Sequence, residues 1–262
     1  MTDERGRLAF VGLGLHDENG ITLQGLHAIE TAEIIYAEAY TSTLSEGALD
    51  RLATRAGKTV VLLGRGDLED GSRILDDCRR KNVVLLVAGD AMTATTHVEL
   101  RLRAIEQGLE TVVIHGVSIM TAVPGLLGLQ HYKFGRTVTL PLPQEGYSPT
   151  SPYELIVENM SRDLHTLVLL DIDAENKRYM TANEGMHLLL DMERRTAHHA
   201  ISPETLVCVV ARAGSPDCIV RAGSIKDMIA LDFGDPLHSL VVPGKLHFME
   251  SDALRILAGK KA

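Results

Sequence analysis

Between Asn82 and Gly108 the chain reads NVVLLVAGDAMTATTHVELRLRAIEQG. The five residues VVLLV (83–87) are apolar without polar alternation. Such a run is a strand covered on both faces, as in a parallel sheet between two helix layers. It leads through a loop of small and polar residues into a helical stretch with a glycine stop, which makes a βα unit. The same alternation extends in both directions. Strand-like runs occupy 7–14 (RLAFVGLG), 33–40 (EIIYAEAY), 58–64 (KTVVLLG) and 110–116 (ETVVIHG). Helical patterns lie between them at 22–32, 46–57 and 67–81. Repeated βα units predict a doubly wound α/β domain with a parallel sheet.

From about residue 120 the texture changes. The segment 122–153 is rich in Gly and Pro and reads as connector and loop, apart from a strand at RTVTLPL (136–142). Helices are predicted at 151–163 and 181–195, with a strand at LHTLVLLDI (164–172) between them. ETLVCVVARAG (204–214) and CIVRAG (218–223) are separated only by SPD, so they form an antiparallel pair and the second sheet is mixed. The strand HSLVVPG and a helix over 250–259 follow. The predicted fold is thus two α/β domains, residues 1–114 and 136–262. Residues 115–135 are expected to serve as linker and cofactor loop.

Composition narrows the function. The chain has 262 residues, 45% of them hydrophobic and 23% charged, and a formal net charge of −9. That balance argues against a protein whose main partner is nucleic acid. No apolar run reaches the ~20 residues of a membrane span. The opening MTDERGRLAF is charged and runs straight into a strand, unlike a signal or transit peptide. Three cysteines without a CxxC pair suggest reduced thiols and a cytoplasmic location. His198 and His199 are adjacent, so their side chains diverge, and the sequence carries no zinc-ligand spacing and no expected metal.

FVGLGLHD (10–17) begins as a dinucleotide loop does, with Gly12 and Gly14, but Asp17 and Glu18 replace the third glycine. Two carboxylates oppose a pyrophosphate at that place. Glu38, near the end of the second strand, is the one feature in favour of a ribose-binding dinucleotide site. A nucleoside ligand that carries positive charge and no phosphate fits better, and S-adenosylmethionine is such a molecule. Function in an open α/β sheet gathers beyond the carboxyl ends of the strands. Asp90, Thr93, Thr95 and Thr96 follow one strand there, and Ser118 follows another. Asp90 serves either as a charged acceptor for the ligand or as a local cap.

FVGLGLHD, VAGDAMTATTH (87–97) and HGVSIMTAV (115–123), in this order and spacing, resemble the diphthine synthases of archaea, a family in the tetrapyrrole-methylase-like class of methyltransferases. The resemblance continues through YKFGRTVTLPLP, LHTLVLLDI, YMTANEGMHLLL, ARAGSPDCIVRAG and DFGDPLHSLVVPGKLH, and so covers nearly the whole chain. Gly89–Asp90–Ala91 departs from the Gly-Asp-Pro common in the wider class. The resemblance implies two domains with S-adenosyl-L-methionine in the cleft between them. It implies cofactor contacts at Leu15, Asp90, Thr93, Ser118, Ile119, Leu170, Ala213 and His238. The implied reaction is methylation, up to trimethylation, of the amino group of a 3-amino-3-carboxypropyl-histidine on translation elongation factor two, by a homodimeric enzyme. No general base is evident from the residues. Ser118, Thr121 and Ala122 are small enough to line a pocket for a methylated nitrogen, and residues 141–153 are the expected mouth for a protein substrate. A corrin methyltransferase, a dinucleotide oxidoreductase and a non-catalytic adenosylmethionine sensor are the competing readings.

Overall fold

The computed structural model describes residues 6–38, 44–144, 146–174 and 176–260. The chain divides into two compact units, with the boundary between Ile119 and Met120.

The first unit runs β1 (Arg7–Gly12), α1 (Leu23–Thr31), β2 (Ile34–Glu38), α2 (Ala48–Ala56), β3 (Val60–Leu63), α3 (Arg65–Asp70), α4 (Ser72–Cys78), β4 (Val83–Val87), α5 (His97–Glu106) and β5 (Glu110–Ile114). Its five strands are all parallel, in the order β3-β2-β4-β1-β5. The unalternated apolar runs now have their cause. Leu8 and Phe10 of β1 and Val83, Leu85 and Val87 of β4 pack with Ile74, Leu100 and Ala104 from α4 and α5. The intervening Ala9, Val11, Val84 and Leu86 face the other way and pack with Ala28, Ile29 and Leu52 from α1 and α2. Successive side chains on a strand point to opposite faces, so two cores require apolar residues at every position. The helix predicted over 67–81 is instead two short helices. Gly71 breaks it with φ of 63°, and its N–H closes α3 on the Asp67 carbonyl at 2.9 Å.

The second unit contains α6 (Ile119–Leu127, whose first residue falls before the boundary), β6 (Val138–Leu140), α7 (Ser151–Ser161), β7 (Thr166–Leu170), β8 (Ile172–Asp173), β9 (Arg178–Tyr179), α8 (Ala182–Thr196), β10 (Leu206–Ala211), β11 (Ile219–Ser224), α9 (Ile225–Met228), β12 (His238–Val242) and α10 (Phe248–Leu257). The five-stranded sheet has the order β11-β10-β12-β7-β6. Only β6 and β7 pair in parallel, so the sheet is mixed. The sequence TANE places Thr181 and Glu184 as a reciprocal capping box that starts α8.

The Gly/Pro-rich stretch 122–153 is more regular than its composition suggests. It holds most of α6, with Pro124 inside the helix. Its end is not open loop either. Pro152 and Tyr153 are buried in the first turn of α7, and the Tyr153 hydroxyl donates to Glu193 of α8. Residues 144 and 147 form an isolated bridge, with Tyr147 exposed. Among the described residues no helix is long and apolar enough to cross a membrane.

Candidate functional site

In the first unit the helices that follow the neighbouring strands β1 and β4 leave to opposite faces of the sheet, which opens a crevice at the carboxyl edge. The loops after β1, β4 and β5 meet at that edge. The loop after β1 and the loop after β4 are laced together by Leu13 N–H to Val87 carbonyl (2.8 Å), Gly14 N–H to Gly89 carbonyl (3.0 Å) and Gly89 N–H to Gly14 carbonyl (2.8 Å). The loop after β5 presses against both. A Cβ on Gly12 would lie 2.5 Å from the Gly116 nitrogen, and one on Gly116 would lie 2.3 Å from the Gly89 carbonyl oxygen. Gly12 and Gly116 admit each other's loops, and a Cβ on Gly14 would collide with the Gly20 carbonyl at 2.5 Å. Gly89 differs, since its φ is 71° and the nearest atom to a Cβ there is the Val117 carbonyl at 4.0 Å. Among the described glycines of these three loops, it is the one whose backbone stands clear of its neighbours.

Asp90 lies beside that opening but is already occupied. Its Oδ1 accepts from Met92 N–H (3.0 Å) and the Thr93 hydroxyl (3.1 Å), and its Oδ2 from His115 Nδ1 (2.7 Å) and Gly116 N–H (3.3 Å). A carboxylate offers about four lone-pair sites, so the local cap and a longer bridge consume them. Burial raises the Asp90 pKa, and the Met92, His115 and Thr93 hydrogen bonds outweigh it, holding the group below its ordinary value. Leu15, Thr93, Ser118 and Ile119 sit around the same edge, each half-buried. Thr121 is exposed and Ala122 half-buried in the first turn of α6.

The acids that end the opening loop have local causes. Asp17 caps a short 3-10 turn by accepting from Asn19 N–H at 3.0 Å. Glu18 pairs with Arg51 of α2 at 2.8 Å, which lowers its pKa. The argument that this loop ends in free negative charge is therefore corrected for Glu18. Glu38 is corrected as well, because it is buried and holds His97 rather than facing a ligand.

In the second unit, Leu170 ends β7, Ala213 follows β10 and His238 begins β12. Because β12 runs antiparallel to both β7 and β10, with Ala211 opposite His238 and Leu169 opposite Ser239, all three share one edge of the mixed sheet. Their side chains are not equally available. Leu170 points into the core, against Gly185 and Leu140. His238 is buried, with Nδ1 accepting from Ala182 N–H at the start of α8 (3.1 Å) and Nε2–H donating to the Asp235 carbonyl (3.1 Å). That pattern fixes a neutral tautomer, and burial, aided by Arg212, pushes its pKa down. A ligand contact at either residue is thus made by the main chain.

Two residues of these edges escaped the sequence reading. Arg212, at φ of 50°, ties the Ala213 turn to the segment before His238 by donating to the Phe233 carbonyl (2.6 Å), the Asp235 carbonyl (2.7 Å) and the Asp217 carboxylate (2.6 Å). His115 was given no role of its own, and its partner lies 25 positions away in sequence. The cysteines behave as packing residues. Cys78 is buried, which pushes its thiol up to about 12, and Cys208 shifts the same way. His198 and His199 are exposed, and among the described residues no group of three His, Cys, Asp or Glu is placed to hold a metal.

Two α/β units, the first with its crevice at the carboxyl edge of a parallel sheet, are the setting for the comparisons with known proteins. Residues 7–229 match the family model of the tetrapyrrole (corrin/porphyrin) methylases. The chain is 50% identical over 252 residues to the diphthine synthase of Methanothermobacter thermautotrophicus, covering 96% of each protein. It is 49% identical over 257 residues to that of Methanocella arvoryzae, covering 97% of this chain and 99% of the relative. A crystal structure of diphthine synthase superposes with a TM-score of 0.89 at 38% identity, over 98% of this chain and 97% of that one. The chain therefore belongs to the diphthine synthase family within these methylases, and with it to the S-adenosylmethionine-dependent methyltransferases of diphthamide biosynthesis.

Proposed function

We propose that the enzyme transfers methyl groups from S-adenosyl-L-methionine to the amino group of a 3-amino-3-carboxypropyl-histidine on translation elongation factor two, up to three on one nitrogen, forming diphthine. The observation that carries this reading is the near-full-length identity to diphthine synthases, 50% over 252 residues. It favours a protein substrate over the corrin ring of other members of the class.

The residues fit the cofactor. Gly89 presents open main chain at the strand end. Around it lie the Thr93 and Ser118 hydroxyls and the Asp90 carboxylate with its His115 partner, with no Lys or Arg among them to hold a phosphate. Leu15, Asp90, Thr93, Ser118 and Ile119 are the residues assigned to hold the cofactor at the strand ends of the first sheet, and Leu170, Ala213 and His238 those assigned at the strand ends of the second. In this assignment residues 115–135 serve as linker and cofactor loop between domains 1–114 and 136–262. Asp90 acts there through the loop it organises, and Leu170 and His238 through main-chain groups.

When bound, the cofactor supplies an electrophilic methyl group on a sulfonium. The protein's part is to align the acceptor nitrogen at about 3–3.5 Å from that carbon and exclude water, worth up to ~7–11 kcal/mol. The reading extends to a homodimer acting in the cytoplasm, with no nucleic-acid partner, which the net charge of −9 supports. The test incubates the enzyme with adenosylmethionine and elongation factor bearing the modified histidine, then weighs the peptide. The expected result is mass added in steps of one methyl, to three, with none on unmodified factor. Methylation of a corrin precursor with the factor untouched would overturn it.

A further inference from the structure

A protonated amine has no lone pair, so an acceptor ammonium must lose a proton before it can attack a methyl carbon. We propose that His115 is the base that takes this proton, held in the productive orientation by Asp90. The inference rests on the methyltransferase reading above.

The geometry is that of an oriented imidazole. Asp90 is 7% exposed and fixed by Met92 N–H, Thr93 Oγ1 and Gly116 N–H, so its position is set before His115 is considered. His115 Nδ1 lies 2.7 Å from its Oδ2. A carboxylate only accepts, so Nδ1 carries the hydrogen and Nε2 of the neutral ring carries the lone pair. The His115 side chain is 74% exposed, so Nε2 stays accessible at the carboxyl edge that also carries Leu15, Thr93 and Ser118. A buried acid that orients an exposed imidazole is the arrangement by which hydrolases activate a weak nucleophile. The charged group in contact with His115 is the Asp90 carboxylate.

The step balances without another reagent. His115 Nε2 removes one proton from the acceptor ammonium. The freed lone pair forms the nitrogen–carbon bond, while the electrons of the carbon–sulfur bond stay on sulfur as a neutral thioether. His115 then gives its proton to water, and the cycle repeats for each further methyl.

Two substitutions separate this role from a structural one. His115→Asn removes an exposed ring, so the melting temperature and adenosylmethionine affinity should hold. Methyl transfer should fall about 100-fold or more at pH 7, with the deficit shrinking as pH rises towards the amine's own pKa. Asp90→Asn turns a donor toward Nδ1. In nitrogen-resolved NMR of the ligand-free protein, the His115 signals, identified by their loss in His115→Asn, should switch from the Nδ1–H to the Nε2–H tautomer. A His115→Asn enzyme that methylates the factor at the wild-type rate and pH profile, or a ring in the Nε2–H form in the wild type, would overturn the proposal and leave the methyltransferase reading standing. Wild-type enzyme that transfers no methyl to the modified factor would overturn both.

Discussion

His97 Nε2 lies 2.9 Å from the Glu38 carboxylate, and each side chain is only 1% exposed. The other ring nitrogen faces the Ala91 carbonyl at 3.0 Å. Both partners are acceptors, so the doubly protonated imidazolium is the form that satisfies them. Burial lowers the His97 pKa, but the Glu38 hydrogen bond and charge outweigh it, and the net shift is upward from 6.5. A raised pKa gives stability that is complete below the unfolded value and is lost as pH rises through the folded value. Denaturant unfolding of the wild type should therefore weaken from pH 6 towards pH 9. Glu38→Gln should lose about 3–5 kcal/mol at pH 6 and show a flatter profile over that window. An unchanged slope in the variant would remove this pair as its cause.

The acid limit has the opposite sign and a different origin. Glu250, fully buried, accepts from Lys133 Nζ (2.6 Å), His165 Nε2 (2.9 Å), Gln130 N–H (2.9 Å) and His247 N–H (2.8 Å). Burial alone would raise its pKa, yet these donors bring it down to about 2 from 4.5. Burial also lowers His165, whose Nδ1 accepts from Gly244 N–H at 3.0 Å and so stays unprotonated. Depressed groups lose their stabilisation as pH falls, His165 from 6.5 downward and Glu250 between 4.5 and about 2. Circular dichroism on acid titration should show cooperative loss of the second unit in that lower window. Glu250→Gln should be less stable at pH 7 and lose less on acidification. A variant that tracks the wild type throughout would show that the acid limit lies elsewhere.

Much of the architecture was legible because its cause is local. Val83–Val87 must be apolar throughout, since alternate residues serve two different cores, and such a run is visible in one dimension. TANE announces the start of α8 in four letters. Composition misled where one residue type serves two purposes. Gly71 ends a helix within a pattern that otherwise reads as continuous, while Gly125 and Pro124 lie inside α6. The candidate edges were legible as positions, strand ends in order along the chain, but not as chemistry. What saturates Asp90 comes from His115 and Gly116 across the sheet, and what Gly12 accommodates is Gly116. Neither pairing leaves a trace in local spacing.

Asp90→Ala tests that saturation. A carboxylate that served only the cofactor would leave the unliganded protein unchanged when removed. Here four donors lose their acceptor, two of them backbone amides. The expected cost is about 1–3 kcal/mol in the unliganded protein, seen as a lower melting temperature, together with weaker adenosylmethionine binding by calorimetry. A normal melting curve with weakened binding would instead restore Asp90 as a direct ligand contact.

The glycines at the same edge should separate by what faces them. A methyl group on Gly116 would sit 2.3 Å from the Gly89 carbonyl oxygen and 2.7 Å from the Gly12 carbonyl carbon, both main-chain atoms that cannot rotate away. Gly116→Ala must therefore part the loops after β1, β4 and β5, and the unliganded protein should melt well below the wild type. A methyl group on Gly89 meets nothing closer than 4.0 Å, so its cost is the left-handed backbone alone, about 1–2 kcal/mol. Gly89→Ala should fold with a modest drop in melting temperature, yet it fills the open space beside the Gly89 main chain. Adenosylmethionine affinity should fall by more than the small stability loss explains. Gly89→Ala that binds the cofactor as tightly as the wild type would move the site away from this strand end, and Gly116→Ala with an unchanged melting curve would show that the three loops are not interlocked.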